Sequence, residues 1–548
     1  MKKIMFFLLV VLGVGMAQEV GARYLIITHD NFYNAIEPLA QWKHSTGFLT
    51  KVVKLSQIGS TSTQIKNYIQ NAYDTWQIPP EFLLLVGAPN YVPWGSSYSD
   101  NNYTNMDSDI FNEILSGRLT VHDATEAQTV VNKILLYEKT PDVTDTLWFT
   151  NACLIVREDY NTYPPPPYGD DSIYWSDIHQ AKTLMLTNGY NTVDTLSRLL
   201  GNSANTVMSR VNQGRAIVLY RGSATNNWYS PFSVNPTDLQ NNTKLPIVLS
   251  VTCGTLGTGS TPAMAERWLL TGSPTSPRGA AGYFATTTSG NNIAYLRSAV
   301  SRGFFNGLFQ QGKRTFGEAC EAGRMNVYNT YGNSSEYRGF TTLGDPAMEI
   351  WTAAPKPLEV FHDSSLSIER DSLTVRVEYR GVPVESALVC VIFDTTIYEY
   401  GYTTGAGEIT FNFESLELGY MHVTVTAHNK IPYIDSIPVI ATYVEEGIQQ
   451  TANTLDISVQ PNPFTYFTNI RYTTHDSRYT MERPTISIHD ASGRLVKSLN
   501  PESCIMDHES RIIWDGHDGD GNRLPAGVYF VQVQTSEENH TIPVLLVR

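Results

Sequence analysis

The chain has 548 residues, 42% of them hydrophobic and 17% charged, a composition of globular domains rather than of disordered chain. That length exceeds what one core serves and implies about three domains. The formal net charge of -15 argues against a nucleic-acid partner, which needs a basic face to neutralise phosphate, and says little else, since many exported proteins are acidic.

In chain order, residues 1–17 carry two lysines, an apolar stretch from Ile4 to Val14 and small residues before Gln18. This reads as a secretory signal cut after Ala17; the apolar run is too short for a membrane anchor, and no later segment is long enough to span. From residue 22 to 353 strands and helices alternate. "RYLIITH" predicts a strand, "FYNAIEPLAQWKHSTG" a helix ending at Gly47, "LTKVVKL" a strand, "STQIKNYIQNAYDTW" a helix and "EFLLLVG" a fully apolar strand. The alternation resumes with "ATEAQTVVNKILLYEKT", "NACLIV", "SDIHQAKTLMLTNGY" and "ANTVMSRVNQG", then the buried strands "AIVLYRG", "PIVLSVTCG" and "RGAAGYFATTTS". Such a pattern predicts a parallel sheet covered on both faces, with reactive groups at the carboxyl ends of its strands. The prolines at 164–167 form a stiff surface loop.

After "TTLGDPAMEIW" the period changes. Residues 356–445 hold period-two runs ("SLTVRVEYR", "ALVCVIF", "EITFNF", "MHVTVTAHN") with turn residues between, the pattern of a small β-sandwich. Residues 446–456 read as a linker, and 457–548 as a second all-β unit. "GDP" at 344–346 is read as structural punctuation ahead of the last strand, not as a nucleotide site.

The cysteines are Cys153, Cys253, Cys320, Cys390 and Cys504, an odd number without close pairs, which argues against a disulfide framework or a zinc site. Cys153 and Cys390 lie in apolar strand-like runs and Cys320 in a helical pattern, so all three read as packing residues. Cys253 differs: it ends a strand and is followed by Gly and Thr. Taken alone it is either a buried structural thiol or a nucleophile. Asp100, Asp107 and Asp109 read as a cation site or basic-substrate pocket, or as a solvated acidic loop. The aspartates of 516–522 are spaced like a calcium loop but lack its bidentate glutamate, which favours a hairpin turn.

"YLIITHDNFYNAIEPLAQWKHSTGF", "FLLLVG", "SDNNYTNMDSDIFNEILSGRL", "VLYRG", "IVLSVTC" and "FTTLGDPAMEIW", in that order over residues 22–353, resemble the gingipain-type cysteine peptidases of family C25, which share the caspase-like fold. The all-β unit behind them resembles the immunoglobulin-like domain those peptidases carry. "PNPF", "NIRY", "DASGRLV", "WDG" and "AGVYFVQV" resemble type IX secretion sorting domains and the related FlgD-like β-sandwich. The resemblance implies an α/β caspase-like catalytic domain, a parallel sheet flanked by helices, followed by two all-β immunoglobulin-like sandwiches. It implies a secreted or cell-surface protein with a protein or peptide substrate, secretion machinery engaged through the C-terminal domain, no transmembrane segment after signal removal and no cofactor, a structural calcium being the one metal role left open.

Residue by residue, Cys253 matches the family's nucleophile and Glu113 the acid that orients its histidine. The histidine position falls on Ser223, behind Gly222, whose backbone with that of Cys253 would form the oxyanion hole. Asp100 and Trp228 are the candidate binding residues. A serine neither draws the proton from a thiol nor protonates a leaving amine, so amide hydrolysis would be slow. Among substitutes for the base, His29 and His179 come first, His179 at the start of a helix; His44 reads as a solvated face residue, and Arg221 as a guanidinium near Cys253 that cannot shuttle a proton. The alternatives are therefore a peptidase with a relocated base, an inactive homologue that binds a peptide or partner, and a structural surface protein.

Overall fold

The apolar runs of the first region assemble into one ten-stranded sheet. The computed structural model describes residues 18–107, 109–161, 164, 168–257, 262–441, 455–464, 467–474, 485–499, 509–534 and 539–547. Residues 1–17, expected to be a signal, most of the proline stretch 164–167, residues 442–454, which include most of the expected linker, and Cys504 lie outside the described residues. Two compact units result, Met1–Thr442 and Tyr443–Arg548.

The sheet's strands are β1 (Tyr24–Thr28), β2 (Thr50–Lys54), β3 (Phe82–Val86), β4 (Leu115–Leu119), β5 (Asn151–Arg157), β6 (Thr192–Ser197), β7 (Ile217–Gly222), β8 (Ile247–Ser250), β9 (Gly282–Thr286) and β10 (Phe340–Leu343), in the order β2-β1-β3-β4-β10-β9-β8-β7-β5-β6. β1, β3, β7, β8 and β9 are buried along their whole length, as strands covered on both faces must be. The covering helices are α1 (Tyr33–Ser45), α2 (Ser62–Thr75), α3 (Ala124–Glu138), α4 (Asp170–Thr187), α5 (Ala204–Gln213), α6 (Met264–Leu270), α7 (Ala294–Gln310), α8 (Phe316–Tyr331) and α9 (Ser334–Gly339). Alternation along a strand sorts its side chains between the layers. Tyr24, Ile26, Leu84 and Val86 join Ile36 and Leu39 of α1, whereas Leu25, Ile27, Leu83 and Leu85 join Ile65 and Ile69 of α2.

The sheet is not parallel throughout. β9 pairs antiparallel with β10 (Tyr283 opposite Leu343, Thr286 opposite Phe340), while β10 runs parallel to β4 and β9 parallel to β8. The half β2-β1-β3-β4-β10 therefore runs opposite to the half β9-β8-β7-β5-β6. One edge gathers the carboxyl ends of β7, β8 and β9 with the amino ends of β4 and β10. The residues 344–346 follow the last strand of this sheet instead of preceding it, and Asp345 is buried there, accepting from Tyr24 Oη at 2.7 Å and pairing with Lys43 Nζ at 2.6 Å.

α4 starts six residues before the expected "SDIHQAK", at Asp170, because Gly169 turns the chain at φ 81° and two aspartates occupy the favourable first turn. His179 is thus a mid-helix residue and not a helix-start one. His44 is half-buried against Tyr398, ring centroids 4.3 Å apart, and burial lowers its pKa; it is not a solvated face residue.

Two further sheets follow in the first unit. One joins Glu359–Phe361, Ser372–Tyr379, Val382–Pro383 and Glu408–Asn412; the other joins Leu366–Ser367, Tyr433–Ile440, Gly419–Thr426, Leu388–Phe393 and Ile397–Tyr402. Leu373, Val375 and Val377 of one face meet Val389, Val391, Val423 and Val425 of the other. This sandwich is bonded to α1: Tyr398 Oη donates to the His44 carbonyl at 2.9 Å. Cys153, Cys320 and Cys390 are buried free thiols, and burial pushes each up to about 12.

The second unit also has two sheets, Leu455–Gln460, Thr468–Thr474 and Glu509–Trp514 in one, Leu495–Leu499, Thr485–Asp490, Gly527–Gln534 and Asn539–Leu546 in the other. Ile470, Trp514, Ile486 and Val531 are shared in its core. The 516–522 turn is closed by Asp518, which accepts from the Asp520 and Asn522 amides at 3.0 and 2.8 Å. It is a hairpin turn, as expected: His517 and Arg523 pair antiparallel across it and the Asp518 amide donates to the Asn522 carbonyl at 2.9 Å, within the connection between the two sheets.

Candidate active site

Cys253 and Ser223 leave the sheet side by side at the carboxyl ends of β8 and β7, whose register sets Tyr220 opposite Ser250. The strand ends are braced from below. Tyr220 and Trp228 stack 4.6 Å apart, Trp228 Nε1 donates to Ser250 Oγ at 2.8 Å, and Tyr220 Oη donates to the Ser223 carbonyl at 2.7 Å. Gly222 has φ 148°, and a Cβ there would stand 2.7 Å from Arg157 Cβ and its carbonyl oxygen, so only glycine fits beside β5. The Gly222 carbonyl accepts from the Thr252 hydroxyl, locking the two strand ends together.

The Cys253 sulfur is partly exposed and has an unexpected neighbour: Arg297 Nη1 of α7 donates to it at 2.7 Å. Arg297 is itself buried and held on three sides. Its Nε faces Glu336 Oε2 at 3.3 Å, and Nη2 donates to the Thr288 carbonyl at 3.1 Å and to its hydroxyl at 3.2 Å. Thr288 Oγ1 in turn donates to Glu336 Oε1 at 2.8 Å, and the Gly254 amide donates to the Thr288 carbonyl at 2.9 Å. The guanidinium is thus fixed before any ligand arrives.

Ser223 has a carboxylate beside it, but it is Asp159, just beyond β5: Ser223 Oγ lies 3.0 and 3.1 Å from the two Asp159 oxygens. Asp159 also pairs with Arg157, and its amide donates to Asp171 Oδ1 at 2.7 Å, which fixes the loop. Glu113 precedes β4 at the same edge, yet its carboxylate accepts the Met106 amide at 2.5 Å and has no hydrogen bond to Ser223. One of its oxygens and one each from Asp107 and Asp109 lie within 4.8 Å of one another. Asp107 and Asp109 are exposed and accept loop amides, Asp109 at 2.8 Å and Phe111 at 2.6 Å respectively.

Other expectations need correction. Asp100 is no cation ligand or substrate pocket: it is 4% exposed and takes both Arg118 Nε at 2.8 Å and Nη2 at 2.7 Å. Trp228 is fully buried and offers no face to a ligand. Arg221 points away from the sulfur, pairing with Asp177 at 2.8 Å and donating to the Ala294 carbonyl at 3.0 Å. His29 and His122 follow β1 and β4 and so stand at the opposite edge of the sheet; His29 Nδ1 accepts from the Asn31 amide at 3.2 Å, and His122 pairs with Glu126 at 3.0 Å. His179 is exposed on α4, nine residues past Asp170 and so roughly 14 Å along the helix, its ring against Trp175. None of the four histidines of the α/β region bonds to Cys253.

Arg297 and Asp159 were missed in the sequence, though each left a signal. Arg297 falls on the stripe of Val300, Ser301 and Phe304 that α7 buries, where an arginine must have a dedicated partner. Asp159 is an acid just past a buried strand on the carboxyl edge.

The loop before β4 forms one wall of this edge. Ser99 Oγ donates to the Arg338 carbonyl at 2.6 Å, Thr287 Oγ1 to the Tyr98 carbonyl at 3.2 Å, and the Asn112 amide to Tyr337 Oη at 3.0 Å. Among the described residues no helix is long and apolar enough to cross a membrane.

Comparison with known proteins gives the following. The family model described as "Peptidase family C25" matches residues 17–351, and that described as "FlgD Ig-like domain" matches residues 476–539. Gingipain R1 of Porphyromonas gingivalis is 22% identical over 483 residues, 85% of this chain and 45% of its own. Gingipain R2 of the same species is 20% identical over 549 residues, 96% of this chain and 68% of its own. This chain thus spans less than half of Gingipain R1. The crystal structure of the Arg-specific cysteine proteinase gingipain R superposes with a TM-score of 0.68 at 21% identity, covering 78% of this chain and 99% of that one, a likeness of fold.

Proposed function

The chain belongs to peptidase family C25, and on that premise we propose that its Cys253 edge is a groove for protein or peptide chains carrying a sulfur nucleophile, at which amide bonds are cut only slowly. One observation carries the reading: the sulfur's polar partners are the Arg297 guanidinium at 2.7 Å and the Gly290 carbonyl, to which the thiol donates at 3.7 Å, and the neighbouring position holds Ser223, bonded to Asp159, in place of an imidazole. Attack by Cys253 on a peptide carbonyl places negative charge on oxygen, for which the backbone N–H groups at Gly222 and Cys253 are the proposed donors. Collapse of that intermediate must expel an amine, and the amine needs a proton. A serine hydroxyl and a guanidinium do not give one up at accessible pH, which forfeits about two to four powers of ten in rate.

Ser223→His tests this directly. An imidazole at 223 would find Asp159 within reach as its orienting carboxylate, and hydrolysis of peptide anilides should rise by about 10²–10⁴-fold and vanish in Ser223→His/Cys253→Ala. A wild-type protein that cleaves peptides briskly through Cys253, with no gain from Ser223→His, would show that proton supply is not the missing element. Glu113, matched by resemblance to the orienting acid, takes second place to Asp159 in this reading.

The same membership supports an exported protein. Residues 1–17 are proposed as a removable signal, the FlgD-like C-terminal unit as the module that engages the secretion machinery, and the mature protein as secreted or displayed at the surface. Secretion of the full chain, and its loss when residues 457–548 are deleted, would test this. No cofactor enters the proposed chemistry.

A further inference from the structure

We infer that Arg297 is a catalytic residue that holds the Cys253 sulfur as a nucleophile, and that the site is consequently matched to thioesters, whose leaving group departs as an anion, rather than to amides. The inference rests on the reading of Cys253 as the nucleophile and goes past it in naming the acyl donor.

The geometry supporting it is specific. A guanidinium carries donors and no acceptor, so beside sulfur it complements a lone pair and the charge that the atom carries in attack. Arg297 reaches the sulfur at 2.7 Å, with its other nitrogens held by Glu336 and the Thr288 carbonyl and hydroxyl. It stands in the first turn of the 17-residue helix α7. The nucleophile is therefore provided for. Among the described residues no group on this edge is placed to protonate a leaving nitrogen: Ser223 Oγ is committed to Asp159 at 3.0 Å.

A thioester removes that need. The sulfur attacks the carbonyl, a C–S bond to Cys253 forms, and the leaving thiolate departs with the electron pair of the broken C–S bond and no proton. Water then attacks the acyl-enzyme; the Cys253 sulfur leaves as an anion onto Arg297, the acyl group departs as carboxylate, and both protons of the water pass to solvent. No oxidant or further reactant is required. With an amide the second half of the first step stalls, because the amine would have to leave as an anion.

The experiment uses the full chain with N-blocked arginine, lysine and alanine thiobenzyl esters and the matching anilides, each rate divided by that of N-acetylcysteine with the same substrate. Wild type is expected to turn over thioesters through Cys253, with an ester-to-anilide preference about 10²-fold or more beyond that of the free thiol. Arg297→Met should slow thioester turnover and iodoacetamide alkylation of Cys253 at pH 6 by about 10–100-fold, the worth of one charge-assisted hydrogen bond. Arg297→Lys, which restores a cation, should recover part of both. If Arg297→Met loses its native melting transition, Thr288→Val, which loosens the guanidinium without removing it, replaces it and should show a smaller loss in the same direction. Undiminished alkylation in a folded Arg297→Met, or an ester preference no greater than that of free thiol, overturns the inference. Failure of Ser223→His to gain anilide turnover, with Cys253-dependent thioester turnover intact, counts against the preceding section and not against this one.

Discussion

At the scale of single residues, the most informative side chains are charges that have been taken out of water. Asp100 sits in "YSDNNYT" and has every mark of a solvated acid, yet its carboxylate is doubly bonded to the fully buried Arg118, whose Nη1 also donates to the Gly87 and Val92 carbonyls at 2.8 and 2.7 Å. Removing one partner of such a pair leaves the other charged and dry. Asp100→Ala is therefore expected to cost about 3–5 kcal/mol in urea unfolding. A ligand-binding role for Asp100 would instead leave the midpoint in place and change affinity. Trp228→Ala should likewise cost about 3–5 kcal/mol, since the ring is stacked under the strand end rather than exposed. These errors of reading share a cause: the partner of each residue comes from a different element, 18 residues away for Asp100 and 44 for the Arg297–Cys253 contact. Period and composition report which face of an element is apolar. They do not report who stands opposite.

At the scale of elements, apolar period was enough to find α1, α2, α3 and the buried strands, because each shows one apolar stripe or an uninterrupted apolar run. It was not enough for β6, whose "TVDTLS" is half polar on the outer edge of the sheet. Nor did it reveal what joins α1 to α3. Lys43 of α1 lies 2.7 Å from Glu138 of α3 and 2.6 Å from Asp345 after β10. One ammonium cannot neutralise two carboxylates, and burial with the Asp345 charge beside it raises Glu138 from 4.5 to about 7. A folded-state value above the unfolded one means that the native protein holds the extra proton between roughly pH 4.5 and 7, so this group's contribution to stability is full below that window and declines as pH rises through it. Glu138→Gln should flatten the decline, read as melting temperature against pH. A steeper fall in the variant would contradict the assignment.

At the scale of the whole molecule, the caspase-like class and the succession of α/β and all-β parts were legible, chiefly through motifs in family order. The reversal of strand direction at the β9–β10 seam was not, since "FTTL" is four residues long and its direction is set by pairing across more than fifty residues of intervening chain. The first sandwich is likewise more than a neighbour. Tyr398 Oη donates to the His44 carbonyl at 2.9 Å, Thr352 Oγ1 meets His428 Nε2 at 2.9 Å, and a Cβ on Gly47 would stand 3.2 Å from Tyr400. A chain ending at residue 353 would bare this junction and is expected to aggregate, whereas one ending at 442 should run as a monodisperse species on size exclusion; equal behaviour of the two would show the sandwich to be dispensable for folding. The seam has a consequence of its own. Because opposed strand halves empty onto one rim, the sulfur and the Tyr98–Asn112 wall that faces it hang from separate scaffolds. Insertions and deletions beside its exposed Asp107 and Asp109 can accumulate over evolutionary time without disturbing β7, β8 or the buried Asp100–Arg118 pair, so a lineage can retune which chains enter the cleft while the reactive atom stays where it is.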